Sequence, residues 1–196
     1  MGTGLRDYLV SVGESIDPAT AQSRVQVFQA TVSNNTPMFV LQFELGPHTP
    51  GTTLGVYGGQ DAPPQFVPVF PGDARRGWFT VVVYRNDPPR VLVSVFDENA
   101  VFHGTSSYPG ADRNSIALYL TTPAATYFSQ DARNPAGEPR ALVYAGTGIN
   151  VGSWWVAWED GAPPDQDFDD SIVFMETPAI DPVLRASWSQ LKARFR

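Results

Sequence analysis

The chain lacks cysteine and has only two histidines among its 196 residues. The absence of cysteine excludes disulfides, thiolate zinc sites and cysteine nucleophiles. His48 and His103 lie far apart in loop-like segments, so a soft-metal site and a Ser-His-Asp relay have little support. No apolar run approaches the roughly 18 residues of a membrane-spanning helix. Charged residues make up only 17% of the chain, which argues against a coiled coil.

What the chain has in quantity is turn-forming residues and acid. It carries 17 glycines and 18 prolines, a composition typical of all-β proteins with many short strands. Its net charge of -7 makes a nucleic-acid backbone an unsuitable partner, because binding one needs a basic face. Six acids and no base fall between residues 159 and 170, and without them the net charge would be -1. The acidity therefore belongs mainly to one segment.

Short apolar segments separated by Gly and Pro predict the strands. Alternation in residues 38–45 predicts a strand with one buried face and one wet face that carries Gln42 and Glu44. The β-branched runs 79–84 and 90–97 flank a proline-rich turn and predict a hairpin. The other predicted strands span residues 25–32, 54–57, 65–70, 115–121, 140–145, 153–159 and 171–175. We expect two packed antiparallel sheets, an all-β, jelly-roll-like sandwich.

Apolar residues recur at helical spacing near both ends of the chain. Residues 4–13 predict a short helix that ends at Gly13, within a single domain over residues 1–178. Residues 179–196 predict a basic amphipathic helix or tail. We expect this tail to pack on the sandwich, to be recognised by an export or anchoring machine, or to mediate contact with a second subunit or another surface protein.

Acidic side chains crowd the segment between two apolar strands, and six of them are candidate metal ligands. Each like-charge pair at about 4 Å costs roughly 1 kcal/mol in water and more near a protein surface. A hard cation relieves this repulsion, and Ca²⁺ accepts about six to eight oxygen ligands in flexible geometry. The pattern predicts a calcium site, the alternative being a solvated acidic turn. The candidate ligands are Glu159, Asp160, Asp165, Asp167, Asp169 and Asp170.

The same segment partly fits an EF-hand loop, but its details contradict that interpretation. Asp170 stands at the sixth position, where the sharp turn requires glycine. Pro163 and Pro164 replace the end of the incoming helix, and residues 171–174 are strand-like. The segment therefore predicts a calcium loop between strands.

Four stretches of the chain resemble a known family. They are Ser115–Thr122, Tyr127–Pro135, Leu142–Gly146, and Val156–Asp160 together with Asp165–Asp170. In this order they resemble the bacterial domain of unknown function numbered forty-one fourteen, over residues 37 to 177. Asp169 stands where that family usually has Asn, and Pro163-Pro164 replaces its usual glycines. The resemblance implies a secreted or cell-surface β-sandwich of exported proteins and adhesins, associated with calcium and with no enzymatic activity.

These observations favour a non-catalytic, calcium-binding extracellular module with a structural or adhesive role. We expect a secreted or cell-surface protein whose signal peptide has been removed. No nucleophile elbow, HExxH motif or phosphate-binding loop is present. A calcium-dependent carbohydrate-binding module is the alternative, with glycans as partners and a stacking platform at Trp155, Trp78 or Tyr57. Burial of these rings in the core would exclude such a platform.

Overall fold

The computed structural model describes residues 3–33, 36–45, 50–110, 113–161 and 166–176. Its helix α1 spans Thr3–Ser11, as predicted, and Gly13 follows with φ of 83°. The strands are β1 (Thr31–Ser33), β2 (Thr36–Leu45), β3 (Thr53–Gly58), β4 (Val67–Phe70), β5 (Phe79–Asn86), β6 (Pro89–Phe96), β7 (Phe102–Pro109), β8 (Ile116–Thr121), β9 (Thr126–Phe128), β10 (Ala141–Ala145), β11 (Trp154–Trp158) and β12 (Ser171–Glu176).

These strands form two antiparallel sheets, which confirms the predicted all-β sandwich. The larger sheet has the order β10-β11-β12-β2-β5-β6-β7, with β1 paired to β2. The smaller sheet has the order β4-β3-β8-β9. The predicted hairpin is β5–β6, in which Asn86 pairs with Pro89 across a two-residue turn. Strand β12 lies between β11 and β2, so the end of the described chain is held in the middle of the larger sheet.

The main core lies between the two sheets. Alternate residues of β2, namely Phe39, Leu41 and Phe43, are buried in it. The rings of Phe43 on the larger sheet and Phe70 on the smaller one lie 4.3 Å apart, which joins the two layers directly. Burial of large aromatic side chains of this kind supplies much of the stabilisation of a sandwich.

A second core covers the outer face of the larger sheet. Leu5 and Leu9 of α1 pack with Trp155 and Phe174 there. The predicted wet face of β2 is consequently wrong: Glu44 is only 7% exposed. The Tyr8 hydroxyl of α1 donates to Glu44 at 2.5 Å, so this polar side chain is buried with a partner. Alternation in a sequence identifies two faces but does not show that a helix covers the polar one.

The predicted strand at residues 25–32 is mostly wrong. Ser23 N donates to Val143 O of the larger sheet, and Phe28 exchanges backbone hydrogen bonds with Ile116 of the smaller sheet. This segment therefore crosses from one sheet to the other, and only Thr31–Ser33 forms a strand. Two observed strands were not expected. β7 is an exposed edge strand without regular alternation, and β9 has only three residues.

The predicted C-terminal tail, residues 179–196, lies outside the described residues, and its proposed contacts stay predictions. Among the described helices, none has the length and apolar character needed to cross a membrane.

Gly55 in β3 is required by close packing. A Cβ at this position would lie 2.4 Å from the carbonyl oxygen of Val67 and 2.5 Å from the ring of Tyr119. We expect Gly55→Ala to lower the free energy of unfolding by about 1–3 kcal/mol, because backbone and a buried ring must move. Urea denaturation measures the change. Ser107→Ala on exposed β7 is the control, and equal stability of the two variants would contradict the packing interpretation.

Candidate functional site

The acidic loop, residues 159–170, joins β11 to β12. Trp158 pairs with Ser171, so the next residues outward, Glu159 and Asp170, come side by side. The amide of Asp160 donates to Asp170 Oδ2 at 2.6 Å, which closes the base of the loop. The register of two apolar strands therefore places two buried carboxyl groups next to each other.

Three of the predicted ligands converge at the outgoing end of the loop. Each of Asp167, Asp169 and Asp170 offers a carboxylate oxygen, and these oxygens lie within 4.8 Å of one another. Calcium binds oxygen at about 2.3–2.6 Å, so ligands of one ion are separated by no more than about 5 Å. The spacing of the three oxygens therefore fits one hard cation.

The loop reaches this geometry through an unusual backbone. Gln166 and Phe168 have φ values of 64° and 57°, in the left-handed region that non-glycine residues seldom adopt. This conformation costs roughly 1–2 kcal/mol per residue. Phe168 is nevertheless buried with Leu5 and Leu9 in the core beneath α1. Its packing fixes the backbone between Asp167 and Asp169.

Glu159 holds the loop backbone. Its carboxylate accepts hydrogen bonds from the amides of Gly161 at 3.1 Å and Gln166 at 2.8 Å. Burial, and then the negative charge of Asp170, raise the pKa of Glu159 to about 7. The carboxyl groups of Glu159 and Asp170 are in hydrogen-bond contact, so two full negative charges at this place would repel each other.

The remaining predicted ligands have different surroundings. Asp160 is buried at the base of the loop, whereas Asp165 lies outside the described residues.

Asp169, a member of the converging cluster, also lies against the first turn of α1: a Cβ on Gly4 would come within 1.7 Å of Asp169 Oδ2. The positive end of the helix dipole favours a carboxylate at this place. Asp169 thus connects the loop to α1 as well as to the other aspartates.

Arg140 also supports the loop, a role that no pattern in the sequence predicts. Its guanidinium donates to Gly161 O at 2.8 Å and stacks on the ring of Tyr127 at 4.5 Å. Because the buried guanidinium contacts Gly161, its positive charge lies beside the start of the acidic loop. It thereby fixes the carbonyl oxygen at the first turn of the loop.

All three predicted platform residues are buried. Trp155 is 1% exposed and donates to Glu14 Oε1 at 2.8 Å, beneath α1. Tyr57 has no exposed area and donates to Gln130 at 2.8 Å. An open stacking face at these two residues is therefore wrong, because α1 covers Trp155, and Phe66 and Phe128 pack against Tyr57. Trp78 is 9% exposed and lines a surface groove.

The two histidines do not form a catalytic arrangement within the described residues. His48 lies outside them. His103 stacks on Trp78, with ring centroids 4.9 Å apart, and its Nε2 lies 3.3 Å from Asp97 Oδ2.

No family model matches the chain, and the comparison with curated proteins found no match. The resemblance to the domain family numbered forty-one fourteen therefore stays a prediction. A solved structure of the Chromobacterium violaceum lectin CV2L, in complex with α-methyl-fucoside, matches at 11% identity. The match covers 80% of this chain and 99% of that chain, with a TM-score of 0.36. At this identity and TM-score the likeness carries no statement about ligand or function.

Proposed function

We propose that this chain is a non-catalytic, calcium-stabilised β-sandwich module with a structural or adhesive role. The observation that carries the proposal is the convergence of Asp167, Asp169 and Asp170 within the span of a single calcium coordination shell. Acidic residues alone occur often at protein surfaces, so the surroundings of this cluster matter as well.

The surroundings favour a cation over a solvated turn. Asp170 is 8% exposed and Glu159 is 1% exposed, and their carboxyl groups touch. Two neighbouring buried carboxylates repel each other strongly unless a proton or a cation lies nearby. The left-handed backbone at Gln166 and Phe168 adds strain that a bound ion would offset. A solvated acidic turn would need neither the burial nor the strain.

A bound calcium ion would join three parts of the fold. Asp167 and Asp169 belong to the loop, and Asp170 directly precedes β12. The side chain of Asp169 packs against the first turn of α1. The ion would thus hold the start of β12 and the helix together in a chain that has no disulfide. Because the unfolded chain does not preform this site, binding free energy becomes folding free energy.

The proposed environment is extracellular, at the cell surface or in a secreted assembly. Modules that meet millimolar calcium outside cells function with dissociation constants of about 10⁻⁴–10⁻³ M. The family that the sequence resembles has the same setting. We propose this localisation together with the calcium site.

Calcium titration calorimetry tests the site directly. We expect one ion per chain for the wild type, and at least a roughly tenfold weaker affinity for Asp167→Asn and Asp169→Asn, because each removes a ligand charge. Glu138→Gln is the matched control, since Glu138 is an exposed acid in another loop. Absence of binding by the wild type, or equal affinity of all variants, would overturn the proposal.

Carbohydrate binding is a second candidate function. Burial of Trp155 argues against a platform on the strand that enters the acidic loop, and burial of Tyr57 argues against one on β3. The observation in its favour is the groove that contains Trp78, on another part of the sandwich.

A further inference from the structure

A groove of about 540 Å³ opens at the flank of the sandwich, between the edge strand β7 and the edge strand β4 of the opposite sheet. Val93 and Val95 of β6 form part of its lining, and Pro68 and Val69 of β4 form another part. Its volume is in the range of about 300–1,000 Å³ that small-molecule sites occupy. None of the described residues of the acidic loop, 159–161 and 166–170, lines it.

The pairing register shows which side chains of β7 face the groove. Ser106 pairs with Val93 and Tyr108 with Val91, and both valines are buried between the sheets. Paired residues of neighbouring strands point to the same side of a sheet. Ser106 and Tyr108 therefore face the opposite sheet, and both line the groove. Ser107 points to the outer face.

The aromatic part of the groove is held in place. The indole Nε1 of Trp78 donates to Glu98 Oε2 at 2.8 Å. His103 stacks on the indole ring with an interplanar angle of 25°, and its Nε2 lies 3.3 Å from the carboxylate oxygen Oδ2 of Asp97. The indole is buried, and the exposed imidazole of His103 is thus held on one wall before any ligand arrives, which limits the entropic cost of binding.

The polar part consists of groups that bind hydroxyls. Asp73 supplies a carboxylate, Ser106 and Tyr108 supply hydroxyl groups, and all three line the same groove as the rings. A pyranose sugar has apolar C–H faces that suit aromatic rings and hydroxyl groups that suit carboxylate and hydroxyl partners. A purely apolar ligand would displace water from the exposed Asp73 and Ser106 without replacing its hydrogen bonds, which costs affinity.

We propose that this groove binds a pyranose sugar without calcium. The inference rests on carbohydrate binding, the second candidate function, and moves its site from the acidic loop to the flank formed by β4, β6 and β7. It makes glycan binding and calcium binding independent properties of the chain.

The test begins with a glycan array and with saturation-transfer NMR on methyl pyranosides, in calcium and in excess EDTA. We expect a specific hit with the same dissociation constant in both conditions. Ser106→Leu fills the groove and is expected to weaken that binding at least tenfold, whereas Ser107→Leu, one residue along on the outer face, leaves it unchanged. Asp73→Asn is expected to weaken it severalfold. All three sites are exposed, so the variants fold.

The outcomes separate the proposals. Silence of the wild type on the array and in the NMR experiment overturns both the groove and carbohydrate binding, without affecting the calcium site. Sugar binding that EDTA abolishes, or that Ser106→Leu leaves intact, overturns the groove but retains carbohydrate binding. Sugar binding that persists in EDTA and is lost only in the groove variants supports the inference.

Discussion

Excess EDTA is expected to lower the melting temperature of the protein by roughly 5–11 °C relative to about 10 mM calcium. That concentration is about 100 times a dissociation constant of about 10⁻⁴ M, and a ligand in this excess stabilises the folded state by about 2.7 kcal/mol. For chains of about 150–250 residues, each kcal/mol shifts the melting temperature by about 2–4 °C. The effect is large because calcium would remove the repulsion between buried carboxylates and would also fasten α1 to β12.

Two comparisons make this result specific to the acidic loop. The double variant Asp167→Asn/Asp169→Asn should melt at the same temperature in calcium and in EDTA, because it lacks the ligand charges. The Glu138→Gln control should keep the full difference. Differential scanning calorimetry measures all three proteins in the two conditions. A wild-type melting curve that EDTA leaves unchanged would refute calcium stabilisation.

Comparison with magnesium tests whether the site prefers calcium. It demands near-octahedral geometry at about 2.0–2.1 Å and keeps several waters, so it makes poor use of a loop crowded with carboxylates. We therefore expect calcium to raise the melting temperature well above the value that an equal concentration of magnesium gives.

The sequence predicted the strands of the inner core well, because their faces must alternate. In β11, Trp154 and Trp158 lie in the core between the sheets and Trp155 lies on the opposite face, as a period of two requires. The sequence did not predict edge strand β7, because an exposed edge strand needs no alternation of apolar and polar residues. Residues 25–32 were misassigned because β-branched composition alone does not distinguish a strand from a segment that crosses between sheets.

The candidate site likewise combines features that the sequence predicted and features that it did not. The acid pattern identified Asp167, Asp169 and Asp170, because apolar strands on both sides confine the loop. It did not predict that Glu159 accepts hydrogen bonds from backbone amides of the loop or that Asp169 packs against α1, because these contacts depend on tertiary packing. The burial of Trp155 has the same origin: helix α1 covers a face that the strand alone leaves open.

Glu14 is the buried group whose loss should destabilise the protein most. It follows α1 and accepts four hydrogen bonds: from Thr147 N at 2.7 Å, Thr147 Oγ1 at 2.5 Å, Asn150 Nδ2 at 2.5 Å and Trp155 Nε1 at 2.8 Å. It is 4% exposed. One carboxylate thus connects the N-terminal segment to the turn between β10 and β11 and to the core beneath α1.

We expect Glu14→Ala to lower the free energy of unfolding by roughly 3–5 kcal/mol. Each buried donor left without an acceptor costs about 1–3 kcal/mol, and several donors lose their partner together. Glu14→Gln should also destabilise the protein, because its amide group would face donors. Urea denaturation measures both variants, with Glu138→Gln as the exposed control. A loss below about 1 kcal/mol for Glu14→Ala, the range of ordinary surface substitutions, would show that the network contributes little.

Acid unfolding gives an independent measure of the same carboxylate. Burial raises the pKa of Glu14, but hydrogen bonds from Thr147, Asn150 and Trp155 outweigh it and hold this pKa below the usual 4.5. A carboxyl whose pKa is lower in the folded than in the unfolded chain stabilises the fold above the unfolded value. That stabilisation is lost as the pH falls from about 4.5 through the folded pKa, because the unfolded chain takes up the proton first.

Wild-type stability should therefore decline more steeply with falling pH in this window than the stability of Glu14→Gln. Urea denaturation at each pH measures both proteins. Parallel declines of the two proteins would show that the Glu14 carboxylate has the same proton affinity folded and unfolded.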